Sequence, residues 1–507
     1  ALYLGLARWL WHRDLALRPL AEAFLALAAV FLILAVPFAF AGHATAAAWA
    51  LEGAGLVWIG VRQRRILARL AGSALLLGAG VAFGIMAGPT PGNLPVLNSR
   101  FLGSAAIAVG SLLAGHLLSK ARGTQRAWED AFEWGLLAWG LLWSFGAVLA
   151  EIEGHVSPPS VEYAMLFGAS AGGCLIGLLA RRLNWRAMIL AVMPIGPLLW
   201  ISVVPAFIDS PAVGPFRDLG WLAWPVVVAG SYLLVFWFES VWPSAAVKAW
   251  HAGTTWLFVL LATWAAAAAA RELVPETPTW SSTIWCVVPA MILLALVRAG
   301  NSTLAWPLRR FPSLYAGPIA GALMLPILIW VIWACVQRGA PAPLPYVPLL
   351  NPLELTQAFG LIAGFAWWKR QHAGREASDV ISGAMRPLLA VLAFLASNMV
   401  VGRIVHFYLR VPFDADDLMR SYVFQAGISI LWGLTAGALM TLARLRLDRA
   451  VWTMGAALLA ALILKLFVVD LGNAGGVARI VSFLATGILI LVIGYFAPVP
   501  PKTERAA

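Results

Sequence analysis

Apolar runs long enough to cross a ~30 Å hydrocarbon core, which takes roughly 20 helical residues, follow one another almost without pause along this 507-residue chain. Their cores fall at 18–40, 45–61, 66–88, 101–119, 132–150, 161–180, 187–208, 220–238, 249–270, 281–297, 313–336, 353–368, 384–402, 420–442, 450–469 and 475–497. Lipid offers no partner to a backbone N–H or C=O, so runs of this kind span as helices. The spacing therefore predicts an all-α fold, a polytopic transmembrane helical bundle of about 16 spans. Residues 1–17 read as the end of an upstream helix and a cytoplasmic turn, 18–497 as a single multi-span membrane domain, and 498–507 as a cytoplasmic tail. The apolar opening stretch, Ala1 to Leu10, lacks a basic leader region and is expected to be the tail of an earlier helix.

Loop charge tests the order of the spans independently of hydropathy, because cytoplasmic loops collect Lys and Arg. One set of alternate loops carries Arg62, Arg64, Arg65 and Arg69, then Lys120, Arg122 and Arg126, then Arg181, Arg182 and Arg186. Further along it carries Lys369, Arg370, Arg375 and Arg386, then Arg444, Arg446 and Arg449. The opposite set holds only Arg100, Arg217, Arg271, Arg338, Arg403, Arg410, Arg420 and Arg479. This asymmetry places the C-terminus in the cytoplasm and the loops with Glu151, Asp209, Glu272 and Asp414 outside, as in a multi-pass protein of the bacterial inner membrane.

A net charge of +12 would suit a nucleic-acid binder only if it were gathered on a soluble face; here it is spread between apolar blocks, and no nucleic-acid partner is expected. Cys174, Cys286 and Cys335 each sit in an apolar segment without a C-x-x-C pair, which argues against a disulfide framework or a zinc site. No cofactor and no metal is indicated, since Asp414, Asp416 and Asp417 lack calcium-loop spacing. No loop exceeds about twenty residues, too short for a folded soluble domain, so chemistry must sit in helix ends, short loops or intramembrane cavities. Prolines inside the spans read first as packing kinks; the Pro-rich seventh and eleventh spans, with Pro194, Pro197, Pro318 and Pro326, are the candidates for the broken helices that a transporter would need.

Two features stand out against this background. Glu52 lies about two turns into the second span, where a carboxylate must pair, protonate or line water. It reads either as a proton-linked or substrate-contacting acid, or as one end of a buried pair or hydrogen bond with a group such as Glu22 or His43. The second feature is a polar cluster in the last four spans. Arg403 and His406 share a helical face, Asp414, Asp416 and Asp417 follow in the next loop, and Lys465, Asp470 and Arg479 border the last turn. Converging, these nine residues would form an outward polar pocket in which His406 acts as acid or base and an arginine holds an anion. The competing reading is an interfacial ion-pair network of snorkelling side chains.

The runs WTMGAALL at 452–459, KLFVVDL at 465–471, ARIVSF at 478–483 and GYFAP at 494–498 resemble the C-terminal signature of the domain of unknown function 2339 family, predicted bacterial membrane proteins. WALEG at 49–53, LNPL at 350–353 and QAGISILW at 425–432 are similar to it as well. The resemblance implies a long polytopic protein with a cytoplasmic N-terminal segment, and it implies no activity. Three functions stay open: transport or stabilisation of an envelope component through the outward pocket, a membrane-embedded glycosyl- or acyl-transferase acting on a lipid-linked donor, and a scaffold for another membrane protein. Membrane lipids are expected partners in all three, with a lipid-linked or anionic envelope substrate in the first two.

Overall fold

In the computed structural model, residues 2–11, 43–86, 94–121, 129–209, 211–299, 305–372, 380–446 and 448–470 are described, with a few single positions near either end. They are helical throughout their regular elements, and no strand occurs among them. Twelve of the described helices are long and apolar enough to cross a membrane. The expected spans at 18–40 and 475–497 lie largely outside the described residues; each of the other expected spans falls on helix. The chain divides into two compact units, residues 1–261 and 262–507.

Unit 1 contains α1 (Leu2–Trp11), α2 (His43–Arg62), α3 (Ile66–Met86), α4 (Ser99–Lys120), α5 (Asp130–His155), α6 (Pro158–Leu183), the short α7 (Arg186–Ala191), α8 (Ile195–Ile201) and α9 (Val203–Asp209), and α10 (Gly220–Phe238). α11 (Ser244–Leu273) runs through the boundary between units. The core of unit 1 joins Ala50 and Val57 of α2, Leu76 and Phe83 of α3, Ile107 and Leu118 of α4, and Leu136 of α5. Without a hydrophobic drive between helices in lipid, close packing over small residues takes its place. At the α2–α3 crossing a Cβ on Gly72 would stand 2.6 Å from the Gly53 carbonyl oxygen, so only glycine permits this approach.

The seventh span is broken. α7, α8 and α9 replace one continuous helix, because Pro194 and Pro197 supply no N–H to the carbonyls a turn earlier. Carbonyls at the break bond to side chains instead: the Trp242 indole donates to Ile189 O at 2.9 Å and the Trp250 indole to Met193 O at 3.1 Å. Irregular backbone at membrane depth is tolerated where protein satisfies it in this way.

Unit 2 contains α12 (Pro278–Ala299), the one-turn α13 (Pro312–Leu314), a π-turn at Tyr315–Ile319, α14 (Ala320–Cys335), α15 (Pro352–His372), α16 (Val380–Leu409), α17 (Ala415–Arg420), α18 (Tyr422–Arg446) and α19 (Arg449–Lys465), which ends in a second π-turn at Leu466–Asp470. The eleventh span is thus interrupted at Pro318, where the Ala316 carbonyl accepts both the Trp367 indole and the Gln371 amide. α12, α14, α15 and α16 form the packed centre, with Gly360 of α15 set against Cys286 and Ile327. α18 and α19 form a hairpin that joins α16 through the Trp432 indole on Asn398 Oδ1 at 2.8 Å. α15 is the least membrane-like of these helices, since it buries Glu354, Thr356 and Gln357.

Candidate functional site

The polar centre of unit 2 is built around Arg403. Its position on α16 turns it into the helix bundle rather than toward the lipid, and it is 0% exposed. A guanidinium without water needs its donors filled by protein. Arg403 Nη2 donates to Ala334 O at 2.6 Å, a last-turn carbonyl of α14 that also accepts the Gln337 N–H, and Nε donates to Gln337 O at 3.2 Å, just beyond the helix. Nη1 lies 3.5 Å from Gln357 Oε1 and 3.6 Å from Glu354 Oε1, both on α15. The Phe413 ring covers it, 6.0 Å from the guanidinium carbon.

Glu354 is the counter-charge. It sits in the first turn of α15, the end of a helix that favours an anion. Its carboxylate also accepts the Tyr346 hydroxyl at 2.9 Å and the Leu349 backbone N–H at 2.6 Å. Burial, with the Glu354 charge beside it, pushes the Tyr346 hydroxyl well above the usual phenol range and keeps it a donor. The ring of Tyr346 stacks on Phe407 at 4.4 Å, and its backbone carbonyl accepts the Tyr408 hydroxyl at 3.1 Å. Asn351 donates to Gly339 O and caps the Leu353 N–H, while Thr277 and Trp280 both donate to Ala342 O. The loop between α14 and α15 is therefore held from α12, α15 and α16 at once.

The remaining residues singled out in sequence take separate roles. His406 Nδ1 lies 2.7 Å from Val411 O, closing the turn after α16, with its ring against Phe407 and Phe413. Asp414 is the N-cap of α17 and accepts the Asp417 N–H at 3.0 Å. That N–H holds the Asp414 carboxyl below the ordinary aspartate range, whereas the hydrogen bond to Asp414 and its charge raise Asp417. Asp416 is exposed. Lys465 donates from the end of α19 to Gln425 O at 3.0 Å and Ser429 Oγ at 2.8 Å, tying α19 to α18. The side chain of Asp470 and the whole of Arg479 lie outside the described residues. Arg403 and His406 thus share contact with Phe413, but the bonds of each lead to different carbonyls.

Glu52 belongs to unit 1. It is half-buried on α2, and its Oε2 is shut from solvent without a hydrogen-bond partner among the described residues. The side chains of Glu22 and His43, its suggested partners, lie outside those residues. Unit 1 also holds a buried ion pair that sequence reasoning missed. Arg69, counted there among loop cations, lies inside α3 and grips Glu129 in a fork, Nε–Oε2 at 2.8 Å and Nη2–Oε1 at 3.0 Å. Glu133, one turn on, accepts the Trp185 indole at 2.9 Å. Among the described residues no group of three or more His, Cys, Asp or Glu is placed to hold a metal ion.

A family model described as "Predicted membrane protein (DUF2339)" matches residues 1–500. No curated protein and no solved structure matches the chain.

Proposed function

We propose, for a chain that belongs to the DUF2339 family of membrane proteins, that it works as a membrane-embedded scaffold stabilising a component of the bacterial envelope on the outward side of the inner membrane. The observation that carries this reading is the complete burial of Arg403 among protein acceptors. Its contacts run to three protein carbonyls or amides and one carboxylate, and it is wholly buried, so its charge is used to fix the 336–351 loop. A substrate-holding arginine keeps donors open toward a cavity.

The test is a cryo-EM map of the full chain purified with its native lipids. The scaffold reading expects these side chains to pair with one another and non-protein or foreign-helix density to lie on the apolar outer faces. A solvent-connected cavity with headgroup density against Arg403 would refute it.

Transport is the second reading, favoured by the interrupted span 186–209 in the unit that also carries the orphaned Glu52 carboxylate. Broken helices and intramembrane acids recur in transporters. Cysteines placed along 186–209 would then react with impermeant thiol reagents from both sides of the membrane; reaction from one side or neither removes this reading.

A further inference from the structure

The loop between α14 and α15 has a composition that water does not explain. From Gly339 to Leu350 it reads GAPAPLPYVPLL, with no charged residue, no side-chain amide and one hydroxyl, that of Tyr346, which Glu354 already holds. Connections that face water are polar, because their backbone and side chains must compete for solvent. Here Pro341, Pro343, Pro345 and Pro348 carry no N–H at all, and Leu344, Leu349 and Leu350 give theirs to Pro341 O, Glu354 and Val347 O. The carbonyls of Gly339, Ala342 and Tyr346 are filled from Asn351, Thr277 with Trp280, and Tyr408. Part of the non-helical backbone is thus satisfied from within, as a low-dielectric setting favours.

The same loop turns its apolar side chains outward. Leu349 is 67% and Leu350 65% exposed, and Leu344 and Val347 are exposed beside them. The flanking spans expose apolar residues as well, Ile332 and Val336 before the loop, with exposed Arg338 between, and Leu355 after it. Exposed Tyr408 and Arg410 stand at the end of α16, in the residue types that settle at a bilayer's headgroup level.

We infer that the 339–350 loop is a preformed lipid anchor, seated in the headgroup–acyl boundary of the leaflet on its own side. It rests on the scaffold reading and names the occupant of that platform as the lipid surface rather than a protein. Because the Arg403–Glu354 clamp fixes the loop beforehand, insertion costs little ordering entropy, and the apolar area of Leu344, Val347, Leu349 and Leu350 drives it.

The test uses nitroxides at Leu349→Cys and Leu350→Cys in the full chain, with Cys174, Cys286 and Cys335 replaced by Ala, in phosphatidylethanolamine–phosphatidylglycerol bilayers. Collision with oxygen should exceed collision with a water-soluble nickel complex, as at exposed Ile329 on the candidate span α14 and opposite to exposed Asp416. A preference for the nickel complex at both sites overturns the inference. As a check that retains the native cysteines, benzoylphenylalanine at Leu349 should cross-link to phospholipid upon irradiation. Cross-linking to a protein, with both collision reagents excluded, would overturn the lipid anchor while leaving the scaffold reading intact.

Discussion

Glu354→Ala is the sharpest perturbation of the unit 2 centre. It leaves the Arg403 guanidinium, 0% exposed, facing two carbonyls and an amide with no counter-charge. Removing one partner of a buried pair costs about 3–5 kcal/mol, because the charge left behind has no water. The Tyr346 hydroxyl and Leu349 N–H lose their acceptor as well, at about 1–3 kcal/mol each when buried. Members of one network do not add, so the total expected is about 5 kcal/mol. At about 2–4 °C per kcal/mol for a body of this size, the melting midpoint should fall by about 10–20 °C.

The assay is thiol-dye melting of the purified full chain, which reads unit 2 through Cys286, 0% exposed on α12. Hydrogen exchange over 339–350 reads the loop directly. Arg403→Met alone should cost less than Glu354→Ala, since Glu354 keeps the Tyr346 hydroxyl and the Leu349 N–H as donors. Combining Arg403→Met with Glu354→Gln should recover about 2–3 kcal/mol relative to the summed single changes, the coupling expected of a charge pair in contact. If Glu354→Ala leaves both the midpoint and the loop's exchange unchanged, the clamp does not hold the loop and the reasoning fails.

Other outcomes follow from the same physics. Tyr346→Phe removes one donor from the Glu354 carboxylate and should lower stability by about 1.5–3 kcal/mol, as for hydrogen bonds to charged groups, without loosening α18–α19 in hydrogen exchange. Gly72→Leu forces a side chain against the Gly53 carbonyl; α2 and α3 must separate, at about 1–3 kcal/mol or more, with Gly84→Leu, where an added Cβ would meet only Trp143 at an ordinary 3.8 Å, as the tolerated control. The Asp414 cap has a carboxyl held below its unfolded pKa of about 3.9, so its contribution is complete above that value and is lost as pH falls through the lower folded one. Asp417 is raised, so its contribution runs the other way and fades as pH rises through its folded value. At neutral pH, Asp414→Ala should speed exchange at the Asp417 amide, and Asp417→Asn should slow it.

How much of this was readable in sequence depends on what each residue's neighbours are. The helices were legible because membrane crossing is a property of a single segment, and so was the break at 186–209, where Pro194 and Pro197 act on their own turn. Arg403 was legible as an anomaly, a cation on the sparsely charged side, but not as a clamp. Its partners come from 66 to 69 residues earlier, at the end of α14 and just beyond it, and 46 to 49 residues earlier on α15, and two of them are backbone carbonyls that no side-chain pattern marks. Glu354 was not singled out in the sequence, although like Glu52 it is a carboxylate within an apolar run, here in the first turn of α15. Arg69 failed for the converse reason: beside Arg62, Arg64 and Arg65 it passed as one more loop cation, although α3 carries it inward to Glu129. Counting charges by loop assumes that a cation near a span end faces headgroups or water. Both buried arginines break that assumption, and each does so where an acid at a helix start is within reach. In a chain this poor in charge, an Arg and a Glu near span ends on the same side are therefore better read first as a pair to be tested than as two independent charges in a topology count.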